Sequence, residues 1–261
     1  MLKQLPIFLF VTISLSCTNV TKENTIKENS PIPKPTKICE TPLPKGFERL
    51  KTDTNSFGFY LQHLHLKKDN TVYYYDGAKK VNQDLHYAVL DISVPKKDLQ
   101  QCADAIMRLR AEYFFARKEY SKIEFKSSFK IYNFQEYLRV VDIADINKAF
   151  ESFLETVFTN CGTYNLSDML HTKQNINDIE VGDVFVKGGS PGHAMIVVDV
   201  AINTQTKERN YMLAQSFMPA QSIHIVINPN DEKLSPWYKA DANNAIVTPG
   251  YIFSANNLKC W

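Results

Sequence analysis

Little in this composition is one-sided. With 30 basic and 28 acidic side chains, a formal net charge of +2, the chain lacks the basic excess that marks a nucleic-acid partner. It has no internal repeat, and its 6 histidines and 5 cysteines form no ladder of paired metal-type ligands, so no metal site is expected. No apolar run reaches the roughly 20 residues that a membrane-spanning helix needs. The glycine-rich stretch GGSPG lacks the Gly-Lys-Ser/Thr ending of a phosphate loop and leads into a strand, which leaves no cofactor to predict. Glycine itself is scarce: 9 in 261 residues, with Gly162, Gly182, Gly188, Gly189 and Gly192 in one stretch of the chain. Unusual backbone turns are therefore concentrated just before His193.

What is present begins with MLKQLPIFLFVTISLSC, in which Lys3 precedes an apolar run from Leu5 to Leu15. That run is too short to span a bilayer and fits the core of a secretory signal. Ser16-Cys17 is similar to the lipobox of bacterial lipoproteins, which implies a lipid on Cys17, although Ser14 stands where that motif usually has leucine. The expectation is a signal peptide over 1–17 and an exported protein held by its lipid in the cell envelope, at the outer membrane. Residues 18–38 are polar, carry Pro31, Pro33 and Pro35, and read as an extended tether. Four cysteines follow, Cys39, Cys102, Cys161 and Cys260, an even number that permits disulfides without specifying them.

From residue 39 the pattern is that of a single α+β domain, with two lobes meeting near 130–145 as the alternative. SFGFYLQHLHL alternates as a strand would, VYYY and LHYAVLDISV read as two more, and DG between them marks a turn. His63, His65 and His86 fall in these segments without an acidic or cysteine partner. Residues 98–118 predict a helix capped by Asp98, with Cys102 on its core face. A second helix starts at Asp145, carried by Phe150, Phe153, Leu154 and Val157, and stops at Gly162, with Cys161 at its end. A short third helix opens near Asn165 or Ser167. Strands over 181–187, 193–201 and 210–216 follow as an antiparallel meander, with the helices packed on one side.

The middle strand, HAMIVVDVA, is apolar at odd and even positions alike, as a central strand covered on both faces would be. His193 then stands at the rim of the sheet. Asp199 is about 20 Å away along the same strand and cannot orient it. Folding back through INTQTKERN brings Gln215 opposite His193, or Phe217 after a slip of two residues. Gln215 is therefore the candidate partner, with Gln221, Gly192 and Ser190 as candidate ligand contacts.

The blocks GDVFVKGG, GHAMIVVD, LAQSFMPAQ, YYYDGAKKVNQDLHYAVLDI and QQCADAIMRLRAEY resemble the bacterial lipoprotein family called domain of unknown function 4846. The order of a Gly-Asp-Val-Phe strand, a strand opening with Gly-His and a third ending in a polar residue is also similar to papain-like amidases of the NlpC type, which cut cell-wall peptides. That resemblance implies a papain-like scaffold with Cys161 as nucleophile, His193 as base and Gln215 as orienter. The physics of Cys161 opposes its part: the C-terminal end of a helix disfavours a thiolate. Two readings follow: a lipid-anchored hydrolase of peptidoglycan amide bonds, or a non-catalytic envelope module binding glycan or peptide in the same cleft. The expected partners are membrane lipid and peptidoglycan or another envelope polymer.

Overall fold

The computed structural model describes Met1 and residues 34–261. The signal peptide expected over 1–17, with Cys17, and the expected tether as far as residue 33 lie, apart from Met1, outside the described residues. Pro35–Trp261 forms one compact unit. The chain is already pinned to it before residue 39: the Leu66 N–H donates to Thr36 O, Ile38 N–H to Leu64 O, and Ile38 is fully buried.

The helices are α1 (Phe57–Gln62), α2 (Cys102–Ala116), α3 (Phe134–Val140), α4 (Ile146–Asn160) and α5 (Thr163–Met169). The strands, in chain order, are β1 (Glu48–Arg49), β2 (His86–Val89), β3 (Glu124–Lys126), β4 (Ile131–Asn133), β5 (His171–Thr172), β6 (Val184–Lys187) and β7 (His193–Ile202). They continue with β8 (Arg209–Gln215), β9 (His224–Val226), β10 (Trp237–Lys239), β11 (Ile246–Thr248), β12 (Tyr251–Phe253) and β13 (Leu258–Cys260). Nine of the described strands form one antiparallel sheet, ordered β2-β9-β8-β7-β6-β13-β5, with β1 added to β7 and β10 to β8. The fold is α+β, as the pattern of elements predicts.

β7 is the central strand, and all its residues but Ile202 are buried. Ala194, Ile196 and Val198 face the helical layer, where they pack with Ile106 and Leu109 of α2 and with Phe153 and Val157 of α4. Met195, Val197 and Val200 face a second apolar cluster with Phe185, Tyr211 and Phe253, which contains no residue of α1–α5. The helices thus cover one side only. A bulge between Val197 and Asp199 lets the buried Asp199 meet Arg49 Nε at 2.7 Å and Gln62 Nε2 at 2.8 Å, so β1, α1 and β7 are joined by one carboxylate.

Several local expectations are corrected. SFGFYLQHLHL opens as a helix: the Ser56 hydroxyl accepts from Phe59 N–H at 3.1 Å, and Phe57 and Leu61, four apart, share the buried face. Positions 57, 59 and 61 suit a strand equally well, which is why alternation misleads over so short a window. VYYY forms only isolated bridges, Tyr73 with Lys79 and Tyr74 with Gln221. The helix expected from Asp98 starts at Cys102, because Asp98 Oδ1 accepts from Ala220 N–H at 2.7 Å and not from the helix. Gly162 ends α4 without a left-handed turn and serves as the N-cap of α5, with φ −130°.

Candidate active site

The β6–β7 turn delivers His193 to the sheet's rim under tight constraint. A Cβ on Gly192 would lie 2.4 Å from Thr163 Oγ1, 2.4 Å from Gly189 O and 2.8 Å from Lys187 O, so only glycine fits against the first residue of α5. The Thr163 hydroxyl donates to Gly189 O at 3.3 Å and ties the same turn to the helix. Ser190 is exposed in this turn and Gly192 half-buried.

The imidazole of His193 is 3 % exposed and ringed by aromatics, with Phe217, Tyr251 and Phe253 at centroid distances of 4.8, 5.1 and 6.0 Å. Its Nε2 lies 2.6 Å from Gln215 Oε1. An amide oxygen only accepts, so Nε2 carries the proton and Nδ1 is the free lone pair. Burial pulls this imidazole down to about 4, against the opposing effect of the hydrogen bond that it donates to Gln215, and the ring is neutral at pH 7.

The structure brings together His193 and Gln215, but by a different register. Ile196 pairs with Ala214, which extrapolates to Phe217 opposite His193 and places Gln215 on the diagonal. Gln215 is long enough to span that diagonal. Gln221 is buried rather than open to a ligand: its N–H donates to Ser216 Oγ at 3.2 Å, and its Oε1 has no partner.

Among the described residues, Cys39, Cys102, Cys161 and Cys260 form no disulfide. Cys161 is 4 % exposed, belongs to the helical core at the C-cap of α4, and is pushed up to about 11 by burial and then by the Asp104 carboxylate. Cys102 occupies a different environment. It is the first residue of the 15-residue α2 and is half-buried. Burial and Asp104 push this thiol up to about 11 as well, but the backbone amides of Ala194, Ala103 and Cys102 itself, and the helix start, act in the opposite sense. Ala194, the strand residue whose amide pulls the Cys102 thiol down, directly follows His193.

A sequence profile described as domain of unknown function 4846 matches residues 39–260. The chain belongs to that family. Comparison with curated proteins and with solved structures finds no significant match. In this member of the family of domain of unknown function 4846, the chemistry of the site is that of the side chains around His193 and Cys102.

A helix starting at Asp98 would hold Cys102 in its second turn, where a thiol counts as packing. The signal available in the sequence was its place just ahead of the apolar series Ala103, Ile106, Met107, Leu109, where a first helical residue would stand. Near it, Gln100 is fully buried with Oε1 held by Arg108 and its Nε2 unpartnered. Asp104 Oδ2 accepts from Gln101 N–H at 3.0 Å, while its Oδ1 is enclosed without a partner. A cavity of about 680 Å³ lined by Phe59, Tyr60, His63, Arg108, Glu112 and Tyr113 lies elsewhere and includes none of Cys102, His193 and Gln215.

Proposed function

We propose that this domain is a thiol hydrolase of amide bonds, with Cys102 as nucleophile, His193 as base and Gln215 as the residue that orients the base. The observation that carries the reading is the fixed tautomer of His193: a neutral imidazole whose Nδ1 is bare, one residue before Ala194, whose amide pulls down the thiol at the start of α2. A thiolate is favoured at a helix start, which is the position of Cys102 and not of Cys161.

The protonation states set the order of events. A thiol near 11 does not give its proton to an imidazole near 4 in the resting site, so no standing thiolate–imidazolium pair is expected. The proton instead leaves sulfur for Nδ1 as sulfur bonds to the substrate's carbonyl carbon and the carbonyl π pair moves onto oxygen. The N–H groups at the start of α2 stabilise that oxyanion. Collapse breaks the C–N bond, and the departing amine takes the proton from Nδ1. Water then attacks the thioester, giving its proton to Nδ1; the acid is released and the thiol reprotonated. Throughout, Gln215 Oε1 holds Nε2–H.

The leader and Cys17 support an exported, lipid-anchored protein, and an address in the envelope makes peptidoglycan amides the proposed substrate class. The test is alkylation of the full chain by iodoacetamide at pH 7, read at each cysteine by mass spectrometry, with release of amines from peptidoglycan fragments as the activity assay. Cys102 should react, His193→Ala should slow it at least about tenfold, and Cys161→Ser should leave it unchanged. Labelling of Cys161 that depends on His193 would reinstate that thiol. Labelling indifferent to His193 would make the domain a binding module.

A further inference from the structure

We infer that His224 is a positioning residue for the base: it decides which end of the Gln215 amide meets His193, and so which imidazole nitrogen of His193 stays bare. The catalytic meaning of this rests on the function proposed above; the geometry does not.

His224 stands on β9 directly across from Gln215 and is fully buried. Its Nδ1 lies 2.8 Å from Ser222 O. A backbone carbonyl can only accept, so Nδ1 carries the hydrogen. A neutral imidazole has one N–H, which makes His224 Nε2 an acceptor. Gln215 Nε2 lies 3.3 Å from it and must donate. Only Oε1 is then left for His193, 2.6 Å away, and that oxygen demands a proton on His193 Nε2. From the Ser222 carbonyl to the bare Nδ1 of His193, each link permits a single direction.

The two ends of a carboxamide are nearly the same size, and packing alone does not choose between them. Without an acceptor at His224, the flipped amide would present its NH₂ to His193 Nε2 and favour the tautomer protonated on Nδ1. That tautomer has no lone pair for a thiol proton. Protonation of His224 would have the same effect, since both its nitrogens would then donate; burial and the nearby Lys80, His86 and His193 hold it down to about 3, so it stays an acceptor. The His86 ring meets it edge-on at 5.7 Å.

The test is long-range ¹H–¹⁵N correlation on the full chain labelled at histidine, at pH 7. In the wild type, His193 should show Nε2–H with a bare Nδ1, and His224 the reverse. In His224→Phe, which keeps bulk and removes the acceptor, the His193 pattern should shift toward Nδ1–H. His224→Gln, whose Oε1 stands where Nε2 was, should restore it. Alkylation of Cys102 should fall and recover in parallel. A folded His224→Phe whose His193 keeps a bare Nδ1 overturns the inference, whether or not Cys102 ever proves reactive. Should that variant fail to fold, the wild-type spectrum still decides: a proton on His224 Nε2 refutes the relay, and a bare His224 Nε2 together with the His224→Gln pattern supports it.

Discussion

Replacing Arg49 by methionine isolates the one carboxylate buried inside the strand that carries His193. Asp199 has no exposed surface; it loses Arg49 Nε at 2.7 Å and keeps Gln62 Nε2 at 2.8 Å and Val200 N–H at 3.0 Å. Stranding a buried charge in this way destabilises by about 3–5 kcal/mol. The carboxyl has an escape, which is to take up a proton. From an unfolded value near 3.9, that costs about 1.36 kcal/mol per pH unit, or about 4 kcal/mol at pH 7 and about 1.5 kcal/mol at pH 5. The two figures meet at neutral pH, so protonation caps the penalty there and governs it below. The sign agrees with the native protein, where burial already raises the Asp199 carboxyl above its ordinary value against the pull of Arg49. A folded value raised this way means stability present at low pH and lost as pH rises. Loss of the Arg49 Nη2 bond to Thr41 O, 2.8 Å long, adds about 1 kcal/mol at either pH. Urea unfolding of Arg49→Met and wild type should therefore give a difference of about 5 kcal/mol at pH 7, shrinking to about 2.5 kcal/mol at pH 5. A deficit that does not change with pH would refute the reasoning, because it would mean that Asp199 stays ionised or was never paying for its burial.

Gln215→Leu should bring Cys102 alkylation at pH 7 down to the His193→Ala rate. It should also lower Tm by several degrees, since it strands His224 Nε2 at about 1–3 kcal/mol; full reactivity in the folded variant would remove Gln215 from the site. Asp104, enclosed and raised to about 8 by burial, contributes stability that is complete below about pH 4 and lost as pH climbs through 8. Asp104→Asn cannot ionise, so its melting temperature relative to wild type should rise between pH 6 and pH 9, and an unchanged difference would show that Asp104 is ionised throughout.

The parts of this molecule that were legible in the sequence are those where one periodicity dominates. α4 reads plainly because Phe150, Phe153, Leu154 and Val157 all lie on one buried face, and β7 because its apolar run serves two layers at once. α1 was illegible for the converse reason: six residues fit both periods, and the choice is made by the Ser56 cap. The start of α2 was read four residues early because Asp98 is a good cap that tertiary structure has spent on Ala220 N–H, and that error alone hid Cys102. Gln215 was found through strand pairing even though the register differs, since a long amide tolerates a diagonal. His224 gave no signal: β9 is three residues long, and its partner is fixed by a sheet neighbour rather than by spacing.

Gly192 has one further consequence. With no room there for even a methyl group against Thr163 Oγ1, the lip of the sheet and the head of α5 are keyed together like tongue and slot. The ring of His193 thus takes its bearings from the helical layer as much as from its own strand. Sliding one layer past the other would swing the base out of line before it broke a single rung of the β-ladder.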